Sequence, residues 1–167
     1  MSKKTFRSIY LGISLFVLGA VSQCAMAQRV TVGAQVGGVG GVGEESAIAT
    51  GLNLNINSLG WASFYADFAM APFKAGNFIA ISPAFAFYPV DVEGFLFGGL
   101  VGVGFYNVPG DASNFGFHYG IIGDFNVSKR LSVGMTARQH LLTGGDTDSL
   151  WNVMMSLGYT FDGGGDW

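Results

Sequence analysis

The sequence is short of cysteine, proline and charge. Its one cysteine, Cys24, cannot form a disulfide within the chain, so the fold must rest on packing and backbone pairing. Four prolines leave long stretches free to pair as strands. Asp, Glu, Lys and Arg make up only 11% of the residues, where a soluble domain has about 25%. No segment after residue 27 holds a run of apolar residues long enough for a spanning helix, which needs about 20. Five of the eight basic residues and all eleven acidic ones follow residue 27, a formal charge of −6. That balance argues against nucleic acid, and against anionic lipid, as a partner held by overall charge.

What is abundant is glycine, with 27 residues, and apolar side chains, at 50%. Glycine shows no collagen-like period, so neither a triple helix nor a disordered chain fits. The N-terminus explains part of the hydrophobicity. Lys3, Lys4 and Arg7 precede an apolar run from Ile9 to Val21, and the small-residue exit Ala25-Met26-Ala27 follows. This order reads as a secretory signal peptide over residues 1–27, cut before Gln28. Its apolar run is too short to span a bilayer as a helix. Cleavage there removes Cys24 with the leader.

Beyond the leader, period-two alternation recurs in eight segments: 30–42, 46–57, 60–70, 77–88, 94–107, 115–127, 131–142 and 150–161. A globular strand is usually about 5–6 residues long. A tilted transmembrane strand needs about 9–11, and these segments suit it. Their faces differ sharply. Ile48, Leu52, Leu54 and Ile56 alternate with Ala49, Gly51, Asn53 and Asn55; Phe95, Phe97, Val101, Val103 and Phe105 alternate with Gly98, Gly102 and Gly104. In the last segment Trp151, Val153, Met155, Leu157, Tyr159 and Phe161 form one face, and Asn152, Ser156 and Thr160 belong to the other. A soluble sandwich would hide its large apolar face and dress the other with Lys and Glu, which these segments nearly lack. The pattern therefore predicts an all-β, eight-stranded, antiparallel up-and-down transmembrane β-barrel over 28–161, with its apolar face in lipid and its small polar face in a narrow lumen. Residues 162–167 form a short tail.

Aromatic residues near segment ends, Trp61, Tyr88, Tyr106, Trp151, Tyr159 and Phe161, are expected in girdles at the two membrane interfaces. Asn57–Leu59 and Ser128–Arg130 read as tight turns on the periplasmic side, where both termini lie. The connections 43–46, 71–76, 109–114 and 143–149 are longer and face outward.

The alternation, the signal peptide ending Ala25-Met26-Ala27, the turn and strand NVSKRLSVGMTAR (126–138) and the closing SLGYTF (156–161) together resemble the small eight-stranded outer-membrane barrels of the OmpA/OmpX-like group. The resemblance implies a monomer in the outer membrane of a Gram-negative cell, in contact with its lipid and lipopolysaccharide. It also implies that the C-terminal strand is read by the barrel-insertion machinery through a terminal aromatic, either Phe161 or Trp167. Some barrels of this kind are lipid A enzymes, one of them a deacylase with a His-x-Ser pair. This chain has His118-Tyr119-Gly120 there, without the serine.

The polar face carries few ionisable groups: Asp67, Asp124, Arg138, His118 and His140. Charges in a narrow lumen must be paired or hydrated. Counting from the periplasmic turns puts Asp67 and Arg138 at similar heights on the third and seventh segments, so they are expected to meet across the lumen. The three-residue loop 128–130 sets His118 opposite His140. Facing imidazoles raise metal binding or pH sensing, but two histidines without a third donor read better as polar packing. The five residues are therefore read as a structural lumen network, with no cofactor, metal or catalytic group. Acidic loop tips, Glu44-Glu45 and Asp146-Thr147-Asp148, read as solvated. The glycine run 37–41 lacks the Lys-Ser/Thr of a phosphate loop. The expected role is non-enzymatic, structural or surface-interacting. A narrow pore for ions or small solutes is the alternative, and a lipid-modifying enzyme comes third.

Overall fold

A polypeptide whose strands are apolar on one side and small or polar on the other can satisfy every backbone amide in a bilayer only by closing into a barrel. The computed structural model does this. It describes residues 29–42, 45–57, 61–111, 113–143 and 149–162; the leader, residues 163–167 and several connections lie outside that set. The strands are β1 (Arg29–Val42), β2 (Glu45–Asn57), β3 (Ala62–Phe73), β4 (Gly76–Val92), β5 (Phe95–Asn107), β6 (Ser113–Asn126), β7 (Leu131–Thr143) and β8 (Ser149–Asp162). Each pairs antiparallel with its sequence neighbour, and β1 pairs with β8 from Arg29↔Asp162 to Gly40↔Trp151, so no edge is left open.

Large apolar side chains on the outer parity are exposed in every strand, among them Ile48, Phe68, Phe85, Val101, Phe117, Met135 and Leu157. Such a belt is intolerable in water and is what a hydrocarbon solvent requires. Inside, residues of opposite parity fill the barrel. Toward the end of the barrel away from the termini, Val39, Val42, Ala71, Phe78, Val108, Leu150 and Met154 form one apolar cluster. Toward the termini, Tyr65, Ala84, Ala86, Tyr88, Leu100 and Ile122 form a second.

Several features depart from the alternation pattern. Tyr88 and Tyr106 are not girdle residues: both point into the lumen, 4% and 1% exposed. Their parity places them with Ala84 and Ala86, and with Gly102 and Gly104. The stretch 71–76 is not a longer loop, because Pro72 and Phe73 stay extended in β3 and only Lys74 and Ala75 make the turn. β4 runs on to Val92 past an irregularity between Phe87 and Val90, where Pro89 has no amide to donate. The ladder between β4 and β5 also skips Ser82 and Pro83, since Pro83 lacks a donor too. Ile56 has the outer parity yet is only 3% exposed, flanked by its cross-strand partners Val30 and Phe64. In β1, Gly41 takes a left-handed φ of 98°, and the register shift there turns Val42 inward after the odd-numbered run ending at Val39.

The outer wall yields a depth test. Val101→Arg, at the middle of β5, should cost about 2–4 kcal/mol of folding free energy, while Leu131→Arg, at a strand end, should cost less than about 1. Urea unfolding of the two variants in lipid vesicles measures both.

Candidate functional site: the barrel lumen

The five ionisable lumen residues separate into three groups stacked along the barrel axis. At mid-height, Asp67 of β3 and Arg138 of β7 meet from strands on opposite sides of the eight-membered ring, with Nη1 donating to Oδ1 at 2.6 Å. The side chains are 1% and 0% exposed, so the pair is screened by almost no water. Neighbours add to its coordination, although Arg138 Nε is buried without a hydrogen-bond partner. Gln35 Nε2 donates weakly to Asp67 Oδ2 at 3.4 Å, Arg138 Nη2 reaches Thr136 Oγ1 at 3.5 Å, and the guanidinium lies 5.2 Å from the centre of the Tyr65 ring.

Above the pair, away from the termini, His118 and His140 face one another as a direct cross-strand pair of β6 and β7. Tyr106 joins them: its hydroxyl is 3.2 Å from Nδ1 of His118 and 2.7 Å from Nδ1 of His140. One hydroxyl carries one proton, so it can donate to one imidazole only and must accept from the other. Where both bonds form between neutral rings, the two histidines hold opposite tautomers. Space for this cluster comes from β5. A Cβ on Gly102 would lie 2.7 Å from His118 Nε2, and one on Gly104 would run into the Tyr106 hydroxyl. Both Nε2 atoms are buried without a hydrogen-bond partner. Among the described residues, no group of three His, Cys, Asp or Glu is placed to hold a metal ion.

Below the pair, Asp124 of β6 stands apart from the other charges. Tyr88 donates its hydroxyl proton to Asp124 Oδ2 at 2.9 Å, and Asn55 Nδ2 donates to the same tyrosine oxygen at 3.1 Å. This group opens into a polar vestibule of about 50 Å³ at the terminal end, lined by Thr31, Asn53, Asn57, Asn126, Ser132 and Thr160 among others. Residue type marks the five charged or imidazole groups but not Gln35, Tyr88 and Tyr106, which bond to Asp67, to Asp124 and to both imidazoles. Inward parity, applied to the two tyrosines, was the signal available.

Two substitutions probe the lumen. Asp67→Ala should cost about 3–5 kcal/mol by stranding a buried guanidinium, whereas the double replacement Asp67→Leu with Arg138→Met should cost far less. Equilibrium unfolding in vesicles separates these outcomes. Tyr106→Phe leaves two imidazole nitrogens without their common partner and should cost about 1–3 kcal/mol, measured in the same assay.

No protein-family model matches the sequence, and no curated protein matches it. Solved structures do share the fold. The N-terminal β-barrel domain of OprF from Pseudomonas aeruginosa superposes with a TM-score of 0.60 at 12% identity, covering 81% of this chain and 98% of that one. The attachment invasion locus protein Ail of Yersinia pestis gives 0.55 at 16% identity, over 81% of this chain and 100% of that one. Neisserial surface protein A gives 0.57 at 11% identity, over 80% and 96%. At such identities the likeness speaks for the architecture alone. The chain has the fold of the small eight-stranded outer-membrane β-barrels.

Proposed function

We propose that this chain is a non-enzymatic barrel of the Gram-negative outer membrane, exported by a cleaved leader over residues 1–27, with a structural or surface-interacting role in the cell envelope. The observation that carries this reading is the filled lumen. An apolar cluster around Phe78 and Leu150 closes the outer half, and the Asp67–Arg138 pair crosses the middle. Water and solutes would have to displace both, and eight strands leave little width beyond what side chains occupy. The facing imidazoles His118 and His140 are 0% and 2% exposed and bonded to Tyr106, out of reach of a substrate in the membrane or outside it.

At the outer end, the connections between strands carry Glu44, Glu45, Asp111, Asp146 and Asp148 against Lys74 alone. Lys74 is itself within 3.4 Å of Glu45. Ail has been seen with a heparin analogue, sucrose octasulfate. The acidic rim of this chain does not suit a polyanion; it suits a cationic partner, or lipopolysaccharide phosphates bridged by divalent cations. A narrow pore is the second reading, favoured by the polar vestibule at the terminal end. Recording in a planar bilayer decides between them. The refolded chain should be electrically silent, and steady single-channel steps would replace the structural reading with the pore.

A further inference from the structure

The sequence after residue 27 holds five basic residues, and the fold brings three of them to one corner. Arg29 begins β1, and Lys129 and Arg130 form the turn between β6 and β7; β8 lies between β7 and β1 in the barrel wall. Arg29 Nη2 reaches across to the carbonyl of Lys129 at 3.4 Å. The turn is firmly held. Ser128 Oγ accepts from the amides of Arg130 and Leu131 at 3.3 and 3.1 Å, and the amide of Thr160 donates to the carbonyl of Arg130 at 2.8 Å. Arg130 also donates to the hydroxyl of Tyr159 at 3.3 Å, which holds its guanidinium at the terminal end of the lipid-facing wall. Directly beside it, Tyr159 and Phe161 stack edge to face at 4.9 Å on the outer surface. Arg29 stands opposite Asp162 in the strand register, but neither Lys129 nor Arg130 has a carboxylate within ion-pair distance among the described residues.

We propose that this corner is a docking site for an anionic glycerophospholipid in the leaflet at the terminal end of the barrel. The headgroup phosphate lies on Lys129 and Arg130, and an acyl chain lies along Tyr159 and Phe161. Charge complementarity commits the surface to that occupant: two exposed cations with no carboxylate partner among the described residues, beside an aromatic pair on the lipid-facing surface. The chain's net negative charge does not oppose this. Other acidic residues of this rim are Asp162, opposite Arg29 in the strand register, and Asp91 and Glu93 near the β4–β5 turn, two strands along the ring from Lys129 and Arg130. Between exposed charges, screening weakens attraction and repulsion beyond about 8 Å at physiological salt. The proposal rests on the barrel spanning a membrane, which heat-modifiable gel migration checks separately.

Native mass spectrometry of the refolded chain, released from micelles doped with equal phosphatidylglycerol and phosphatidylcholine, is the test. Each cation near an anionic surface contributes roughly a fivefold preference, so the unaltered chain should retain phosphatidylglycerol in clear excess. Lys129→Gln with Arg130→Gln should bring retention close to parity, while Lys74→Gln, at the opposite rim, should leave the excess in place. Heat-modifiable migration confirms that each variant is folded. Equal retention of both lipids by the unaltered chain, or an undiminished excess in the double variant, would overturn the proposal. So would loss of bound phosphatidylglycerol on adding millimolar inorganic phosphate, since the site would then read phosphate and not lipid.

Discussion

The ion pair between Asp67 and Arg138 is the constraint around which the lumen is arranged. Its two strands, β3 and β7, lie four positions apart in a ring of eight, so the contact spans the barrel through its axis. No backbone hydrogen bond can do this, because every ladder runs only between neighbours. Desolvating two charges is costly, and their attraction offsets that only when the geometry is close and the remaining polar atoms are bonded. Gln35, Thr136 and Tyr65 supply part of those contacts from β1, β7 and β3, while Arg138 Nε is left without a partner. The pair thus sets which side chains can surround it. Small residues elsewhere on the inner faces leave room for the guanidinium to cross.

The other two polar groups obey the same logic on a smaller scale. Tyr106 lets two imidazoles share one hydroxyl, and Tyr88 serves Asp124 while accepting from Asn55. In each case a tyrosine brings a polar tip to the axis and an apolar ring to the surrounding cluster. The lumen is therefore layered: apolar cluster, imidazole pair, ion pair, second apolar cluster and tyrosines, then a polar vestibule. Charge is also unevenly placed, and the Arg29–Arg130 corner is locally basic. Net charge alone conceals that difference.

Much of this was legible from residue order. Alternation over Ile48–Ile56 or Phe95–Phe105 fixes which face meets lipid, because successive strand side chains must point to opposite sides. Loop parity placed His118 across from His140, and counting from the turns placed Asp67 and Arg138 at one height; the structure has both contacts. Reading failed where position along the axis mattered more than parity. Proximity to segment ends suggests girdle positions for Tyr88 and Tyr106, although their parity points inward. Turn lengths failed similarly: Pro72 and Phe73 remain extended, and Pro89 sits at the irregularity that prolongs β4.

Strand number, the membrane-facing surface and the antiparallel order follow from residue order, since period, length and short connections are all local properties of the chain. Which inward groups touch depends on the closed barrel. Strands four places apart in the ring come together through closure and tilt, and those are properties of the whole barrel. The same closure sets Arg29 of the first strand beside Lys129 of the turn before the seventh, a hundred residues away, and so makes a basic corner from an acidic chain.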